Sequence, residues 1–226
     1  TYVLRLVARD SGDYTGQVEI EWTIAKREIV ITGNSADVTY NGVAQSVSGY
    51  HCGTGQLVSG HSIINLDHVI SATNAGNYTG TFDNTNMRIV SGSTDVTGNY
   101  DISYVVGSMV IRQMDISGGT VTLATGLVYN GHIQQQGIAS IMVGGLMVDD
   151  YIVTGDSNKN AGSYTLTVTG NGNFTGQVVV PWEIQKKVLE IVTIGGTREY
   201  NGCPFTMGGS VNGIMDGSDS ITFRVT

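Results

Sequence analysis

The strongest signal in the sequence is the stretch Asn173-Phe174-Thr175-Gly176-Gln177-Val178, which is followed by Trp182, Ile184 and Lys186. Nearly the same string occurs earlier as Asp13-Tyr14-Thr15-Gly16-Gln17-Val18, followed by Trp22, Ile24 and Lys26. Every residue of the later copy lies 160 positions after its counterpart. A match that stays in phase without a gap indicates internal duplication. The sequence therefore predicts a repeat protein.

Both copies alternate apolar and polar residues, which is typical of a β-hairpin with one apolar face. The apolar positions of the later copy are Tyr164, Leu166, Val168, Val178, Val180, Trp182 and Ile184. Those of the earlier copy are Tyr2, Leu4, Leu6, Val18, Ile20, Trp22 and Ile24. We predict that this face is buried in both hairpins, with Trp22 and Trp182 as core residues rather than a platform for sugar stacking.

Three more elements recur in a constant order. The first is Tyr-Asn-Gly, which favours a tight hairpin turn, at Tyr40-Asn41-Gly42, Tyr129-Asn130-Gly131 and Tyr200-Asn201-Gly202. The second starts at a glycine and has its other members two, six and eight positions later. Its three copies are Gly55, Leu57, His61 and Ile63; Gly144, Leu146, Asp150 and Ile152; and Gly213, Met215, Asp219 and Ile221. The third is Ala-Gly-x-Tyr-Thr, with Tyr78 and Tyr164. It resembles the tyrosine corner of immunoglobulin-like domains, in which the tyrosine bonds back to nearby backbone.

The order of these elements divides the chain into four parts. Residues 1–28 form the closing half of a repeat, 29–113 and 114–187 form full repeats, and 188–226 form an opening half. Short alternating segments without helical periodicity predict an all-β fold of small, immunoglobulin-like β-sandwich repeats. A β-grasp architecture for each repeat is the alternative. The junctions between repeats contain no flexible linker, so we expect an elongated, semi-rigid array.

Charge and hydropathy argue against a nucleic-acid partner and against a membrane span. The net charge is -8 and the chain has only 11 basic residues, whereas nucleic-acid binding needs clustered Lys and Arg. We therefore expect no nucleic-acid partner. No apolar run is long enough to predict a membrane span. Because Thr1 begins inside a strand pattern, we expect a piece of a longer protein whose targeting and anchoring segments lie elsewhere.

The sequence offers few groups for catalysis or for binding a transition metal. The densest group of zinc ligands is His51, Cys52, His61 and His68, but the other repeats lack it, so we expect exposed or half-buried strand and loop residues. Cys52 and Cys203 have no counterparts in the other copies, which favours free thiols over a bridge between repeats. No nucleophile elbow is present. We predict no catalytic, cofactor-binding or metal-binding residues and no enzymatic activity.

Calcium remains a candidate ligand, because several turns are rich in carboxylate and amide oxygens. These turns are Asp83-Asn84-Thr85-Asn86, Asp149-Asp150, Asp156-Ser157-Asn158 and Asp216-Gly217-Ser218-Asp219. None matches the EF-hand loop, and turn residues that cap strands are the alternative interpretation.

The order of the motifs resembles that of the MBG and YDG tandem repeats of large bacterial surface proteins and adhesins. The resemblance rests on Tyr-Asn-Gly, Gly-x-Leu-x-x-x-Asp-x-Ile, Ala-Gly-x-Tyr-Thr and the segment Asp95-Val96-Thr97-Gly98-Asn99-Tyr100-Asp101-Ile102 with its ending Gly107-Ser108-Met109-Val110-Ile111. It covers essentially the whole chain and fits 29–113 best, since 114–187 lacks the Asp-Val-Thr segment. It implies an extracellular location, with attachment to the cell surface or cell wall through other parts of the parent protein. It implies no catalytic residues.

From these observations we expect a non-enzymatic stalk segment that spaces a ligand-binding region from the cell, with neighbouring repeats of the same chain as its partners. The alternative is a module that binds a carbohydrate or a host protein through exposed loops. The two half-repeats add the hypothesis that they pair between molecules.

Overall fold

The structure, a computed structural model, describes residues 1–8, 12–53, 56–205 and 208–214. Regular structure in these residues is β-strand, apart from one 3-10 turn at Thr97–Asn99. The predicted all-β class is therefore confirmed. The chain forms two compact units, which are described separately: Thr1–Thr39 with Val43–Arg112, and Tyr40–Gly42 with Gln113–Thr226.

The first unit begins with an isolated hairpin of β1 (Tyr2–Val7) and β2 (Gln17–Trp22). The strands are antiparallel, with Tyr2 opposite Trp22 and Leu6 opposite Val18. All residues of both strands are exposed. The predicted hairpin forms, but the prediction that its apolar face is buried is wrong, because no other strand of the described residues lies over that face.

The rest of the first unit contains twelve strands. They are β3 (Arg27–Gly33), β4 (Ala36–Thr39), β5 (Gln45–Ser48), β6 (Tyr50–Cys52), β7 (His61–Ile64), β8 (Asp67–Ala72), β9 (Gly76–Thr79), β10 (Thr81–Asp83), β11 (Arg88–Ser91), β12 (Thr94–Asp95), β13 (Tyr100–Val105) and β14 (Ser108–Arg112).

These strands form four small sheets. Strand β3 is parallel to β13 and antiparallel to β6, and β14 is parallel to β4 and antiparallel to β9. Strand β8 lies between β5 and β10, and β11 lies between β7 and β12. Alternation along β3 turns Ile29 and Ile31 inward, where they pack with Leu66, Ile89 and Tyr100. Each buried aliphatic side chain contributes about 1.5 to 3 kcal/mol.

The second unit contains eleven strands before its last hairpin. They are β15 (Met114–Asp115), β16 (Thr120–Leu123), β17 (Leu127–Val128), β18 (Gln134–Gln135), β19 (Ile138–Val143), β20 (Leu146–Met147), β21 (Tyr151–Thr154), β22 (Ser157–Asn158), β23 (Gly162–Gly170), β24 (Phe174–Thr175) and β25 (Gln177–Gln185).

The long hairpin of β23 and β25 organises this unit. Strand β17 adds to it in parallel on the β25 side and β21 adds in antiparallel on the β23 side. The remaining sheets are β16-β19-β20, β15-β24 and β18-β22. The core consists of residues that are at most 4% exposed, namely Ile116, Ile141, Val148, Leu166, Val168, Phe174, Trp182 and Ile184. The later hairpin thus has the buried face that the sequence predicts.

The chain continues into a second exposed hairpin of β26 (Glu190–Thr193) and β27 (Gly209–Asn212). These strands are antiparallel, with Ile191 opposite Val211. Ile191 is 54% exposed. The finer division of the chain into two full and two half repeats stays a prediction.

Candidate functional site

The tyrosines of the Ala-Gly-x-Tyr-Thr motif make the same hydrogen bond in both full repeats. The hydroxyl of Tyr78 donates to the backbone oxygen of Asn74 at 2.8 Å, and that of Tyr164 donates to Asn160 at 2.8 Å. Each bond closes the turn that precedes its strand, β9 or β23. This is the backbone bond expected of a tyrosine corner.

The glycines of the Tyr-Asn-Gly motif share one backbone conformation. Gly42, Gly131 and Gly202 have φ of 80°, 81° and 76°, which is the left-handed region that glycine adopts without steric cost. Strand β4, before Gly42, pairs with β14, whereas β5, after it, pairs with β8. The motif therefore carries the chain from one sheet to another. The same holds at Gly131, because β17 before it pairs with β25 and β18 after it pairs with β22. The prediction of a tight hairpin turn is wrong at both copies.

The asparagines of the same motif stabilise the turn through their side chains. Asn130 Oδ1 accepts a hydrogen bond from the backbone N–H of His132 at 2.9 Å, and Asn201 Oδ1 accepts one from Cys203 at 3.2 Å. Such Asx turns substitute for a backbone hydrogen bond. The motif tyrosines differ in environment, since Tyr129 packs against the core of the second unit and Tyr200 is 96% exposed.

The two tryptophans also lie in different environments. Trp182 is 4% exposed, and its Nε1 donates to the backbone oxygen of Gly155 at 3.1 Å. Trp22 is 49% exposed and stacks on Tyr2 with ring centroids 4.6 Å apart. The prediction of a core residue holds for Trp182 and is wrong for Trp22.

The first unit contains an open, mainly polar depression lined by Asn65, Asp67, Asp83, Asn86 and Arg88. Asp67 and Asp83 lie directly opposite each other on β8 and β10, an arrangement in which like charges repel. Part of the predicted cluster Asp83-Asn84-Thr85-Asn86 thus meets Asp67 and Asn65, which sequence reasoning missed. No sequence signal could have found them, because only the strand register brings them together.

One carboxylate of this depression is held by its own turn. Asp83 Oδ1 accepts from the backbone N–H of Thr85 at 3.2 Å and from the Thr85 hydroxyl at 2.9 Å. These hydrogen bonds lower the pKa of Asp83 below its usual value. Carboxylate and amide oxygens of this kind could contact a hard cation such as calcium, and the calcium prediction stays a prediction.

The oxygen clusters of the second unit take part in structural hydrogen bonds. Asp150 Oδ1 accepts from Asn171 Nδ2 at 2.8 Å, and Asp156 Oδ2 accepts from Gln135 Nε2 at 2.6 Å. Both bonds tie a turn to a neighbouring element, as the interpretation in terms of turn residues predicts. The cluster at 216–219 lies outside the described residues, as do Gly55, Met215 and Ile221 of the glycine-led motif.

The histidines have separate structural partners. His51 Nδ1 lies 3.2 Å from Asn34 Oδ1, and His61 Nδ1 lies 2.6 Å from the hydroxyl of Tyr100. His68 is 1% exposed, so the expectation of an exposed or half-buried residue is wrong for it. His68 and Ile70 are two residues apart on β8 and point to the same buried face. This alternation was the sequence signal that could have predicted the burial of His68.

The ring of His68 fills a space that glycines leave open. Its Nε2 accepts a hydrogen bond from the backbone N–H of Gly107 at 3.1 Å. A Cβ atom added to Gly33 or Gly80 would overlap the ring. His68 therefore acts as a core residue that joins three backbone segments of the first unit.

Cys52 and Cys203 are both free thiols, so the preference for free thiols over a bridge is confirmed. Cys52 is half-buried, and burial raises the pKa of its thiol. A raised pKa lowers the thiolate fraction and with it the reactivity of the sulfur.

The described ranges contain no group of three or more His, Cys, Asp or Glu residues that could share a metal ion. Nor does any helix in the described part of the chain have the length and apolar character needed to cross a bilayer. The resemblance to MBG and YDG repeats stays a prediction. In comparisons with protein-family models, with curated proteins and with solved structures, the chain matched none.

Proposed function

We propose that this chain is a non-enzymatic stalk segment of a bacterial cell-surface adhesin, which carries tension between the cell and a ligand-binding region. In this proposal each compact unit is a small immunoglobulin-like sandwich within an elongated extracellular array. The tyrosine-to-backbone bonds of Tyr78 and Tyr164 support the immunoglobulin-like assignment.

The observation that carries the proposal is the parallel pairing of early and late strands within each unit. In the first unit β3 pairs with β13 from Arg27 opposite Tyr100 to Thr32 opposite Val105. Strand β4 pairs in parallel with β14, the last strand of the unit. An ion pair between Arg112 and Asp37, with 2.7 Å from Nε to Oδ1, lies at this second contact.

The second unit repeats this arrangement on a smaller scale. Strand β15 is parallel to β24, and β17 is parallel to β25. The backbone N–H groups of Met114 and Ile116 extend the first contact by donating to Asn173 and Thr175 at 2.9 and 2.8 Å. The N–H of Tyr129 extends the second contact.

Parallel pairing of early and late strands determines how a pulling force acts. Force applied at the two ends of a unit draws the early and late strands past each other along their axes. The hydrogen bonds of a parallel pair are evenly spaced along the strands, so they share the load of that movement and must break together. An antiparallel hairpin pulled from its open end loses its bonds one at a time. The observed topology therefore suits a segment that resists tension.

Single-molecule force spectroscopy tests the proposal. We expect two unfolding events when the chain is pulled by its termini, each releasing roughly 250 to 300 Å of extended chain. The second unit should unfold at the lower force, since its parallel contacts are shorter than those of the first unit.

A second attachment geometry supplies the control. Ser163 and Glu183 are exposed and lie opposite each other near the open end of the β23–β25 hairpin. Handles on Ser163→Cys and Glu183→Cys, with Cys52 and Cys203 replaced by serine, would peel this hairpin. We expect a several-fold lower force than in the end-to-end geometry. Equal forces in the two geometries would contradict a load-bearing role.

The alternative function, carbohydrate or host-protein binding, is favoured by one observation, the polar depression lined by Asn65, Asp67, Asp83, Asn86 and Arg88. Convergent carboxylate, amide and guanidinium groups can orient the hydroxyl groups of a sugar.

A glycan array tests this alternative. The binding module would be favoured over the stalk if the chain binds a glycan and Asp67→Asn abolishes that binding. The control variant Asp101→Asn, at an exposed position of β13, should leave the binding intact. Equal signals from both variants would place any binding elsewhere.

A further inference from the structure

The ring of His68 lies where the two parallel contacts of the first unit meet. Strands β3 and β13 end at Gly33 and Val105, and the chain then enters β4 and β14. The same two stretches of chain therefore leave one parallel pairing and begin the other. They approach closely, since a Cβ atom added to Gly107 would overlap the backbone of Asn34. This place, formed by Gly33, Asn34 and Gly107, is here called the crossing.

His68 binds both stretches of the crossing, and its hydrogen bond determines where the ring proton lies. The ring packs against Gly33, and Nε2 accepts from the backbone N–H of Gly107 at 3.1 Å. Nε2 therefore carries the lone pair, and the proton of the neutral ring is on Nδ1. Among the described residues Nδ1 has no hydrogen-bond partner. Since His68 is 1% exposed, the folded unit holds a neutral ring that is shielded from water.

The crossing has no means of accepting a second proton on this ring. That proton would have to go to Nε2, where its N–H would face the N–H of Gly107 and replace a hydrogen bond by repulsion between two donors. The ring lies against Gly33, Gly80, Phe82 and Gly107, none of which carries a charged side chain. Burial of a charge without a partner is strongly unfavourable. The folded unit therefore excludes the proton.

The titratable groups of the elements around the ring are of two kinds. Phenols are the closer kind: Tyr104 packs on Phe82, which packs on His68, with ring centroids 5.1 and 4.8 Å apart. Tyr50 of β6 lies opposite Gly33. Charged and basic side chains are the second kind, and those of the surrounding strands are exposed, namely Arg27, Glu28, Asp37, His51, Asp67, Asp83, Asp101 and Arg112. None of these exposed groups can compensate a charge on a buried ring without leaving water.

The second unit holds a glutamine in a comparable place. Its backbone bond from Ala124 N–H to Gly137 O, at 2.8 Å, joins the chain before and after Tyr-Asn-Gly, as the bond from Asn34 to Gly49 does in the first unit at 3.0 Å. Gln136 is 4% exposed there, and its Nε2 donates to both backbone oxygens, at 3.3 Å to Ala124 and 3.0 Å to Gly137. A glutamine does not titrate, so mild acid acts on this place in the first unit alone.

We propose that His68 is an acid-sensitive latch, which holds the crossing of the first unit closed while its ring is neutral and releases the unit in mildly acidic surroundings. Unfolding exposes the ring, which then takes up a proton near pH 6.5. The stability of the first unit is therefore complete above about pH 6.5 and falls as the pH decreases below it. Yielding of a stalk under tension in acid rests on the proposed function, whereas the acid sensitivity itself does not.

Hydrogen exchange of the full 226-residue chain, followed by mass spectrometry, tests the latch in both units at once. Between about pH 7.5 and about pH 5.5, the protection of β3 and β13, corrected for intrinsic exchange rates, should fall about ten-fold. This is the effect of one proton that only the unfolded unit binds. Protection of β23 and β25 should change less than about two-fold over the same range. Equal changes in both units would overturn the proposal.

A glutamine at position 68 should remove the effect, because it fills the place with the residue type that the second unit uses. In His68→Gln the protection of β3 and β13 should no longer depend on pH in this range. His51→Gln is the matched control, since His51 is an exposed histidine of the same unit, and it should keep the ten-fold fall. A fall that persists in His68→Gln would assign the effect to another histidine, such as His61, and overturn the proposal.

The position of the ring proton can be measured without any variant, which keeps the proposal testable if His68→Gln does not fold. Long-range proton–nitrogen NMR correlations of the labelled chain should show the proton on Nδ1 of His68 and a bare Nε2 at about pH 7.5. The folded chain should show the same form at about pH 6. A proton on Nε2 at either pH, alone or together with one on Nδ1, would contradict the latch.

The latch and the stalk function fail separately. Protection of β3 and β13 that stays constant between the two pH values overturns the latch and leaves the comparison of pulling geometries untouched. Equal unfolding forces in the two pulling geometries contradict the stalk function and leave the fall in protection intact. If both hold, the unfolding force of the first unit should decrease in mild acid while that of the second unit stays the same.

Discussion

The hairpins β1–β2 and β23–β25 have the same internal structure and opposite environments. Tyr2 lies opposite Trp22, as Tyr164 lies opposite Trp182. The paired rings are 4.6 and 5.0 Å apart. Yet Leu4 is 51% exposed, whereas its counterpart Leu166 is completely buried.

This difference separates two contributions to structure. Register and the tyrosine–tryptophan contact are the same in both copies, so they follow from the alternation of residues within the hairpin itself. Burial requires strands from elsewhere in the repeat, such as β16 and β19. An identical sequence pattern therefore supports a core residue in one place and an open surface in the other.

Hydrogen exchange should reveal the largest difference between the two hairpins. We expect amides of β23 and β25 to exchange about 1,000-fold more slowly than those of β1 and β2, or more slowly still. Mass spectrometry of exchanged peptides measures this ratio. Similar protection in dilute solution would mean that the β1–β2 hairpin is covered within the monomer.

Truncation of equivalent leucines should give the next largest effect. Leu166→Ala removes a completely buried side chain and should lower the free energy of unfolding of the second unit by about 2 to 5 kcal/mol. Leu4→Ala should change stability by less than about 0.5 kcal/mol. Urea unfolding followed by tryptophan fluorescence measures both, and equal losses would contradict the difference in burial.

Removal of the tyrosine hydroxyls should have a smaller effect. Tyr78→Phe and Tyr164→Phe each remove one bond to a backbone oxygen and should destabilise their units by about 1 kcal/mol. Tyr2→Phe is the matched control in the exposed hairpin, where we expect almost no change in the free energy of unfolding. Thermal unfolding by calorimetry compares the three variants. A loss for Tyr2→Phe as large as for Tyr164→Phe would argue against the role of the turn bond.

The smallest expected effect is that of Asp95 on the acid stability of the first unit. Hydrogen bonds from Thr97, with a lesser contribution from Arg88, lower the pKa of Asp95 in the folded first unit. A lowered pKa means that the stabilisation is complete above the unfolded value of about 3.9 and is lost as pH falls through the folded value. The unfolding temperature of the first unit should therefore drop between about pH 5 and pH 3.

The variant Asp95→Asn removes this titration while it retains an oxygen acceptor for Thr97. Its unfolding temperature should depend less on pH over the same range than that of the original chain. An unchanged pH dependence would assign the acid effect to other carboxylates, such as Asp37 or Asp83, whose pKa values are also lowered in this unit.

Less of the candidate sites than of the repeat elements could be predicted from the sequence. The backbone bonds of Tyr78 and Tyr164 could be predicted, because both partners lie four residues apart in one turn. The meeting of Asp67 with Asp83 could not, since it depends on the register between β8 and β10. The crossing of sheets at Gly42 was missed for a similar reason, because the turn residues do not indicate which partner each strand will find.

The sequence by itself determined the features that act over a few residues: alternation along strands, glycines with positive φ, turn hydrogen bonds and hairpin register. Their energies depend on neighbours within one turn or one hairpin. Only the tertiary structure decided that Trp182 is buried and Trp22 exposed, that His68 lies in a core, and that early strands pair in parallel with late ones. These outcomes depend on which distant strands are present to remove a surface from water.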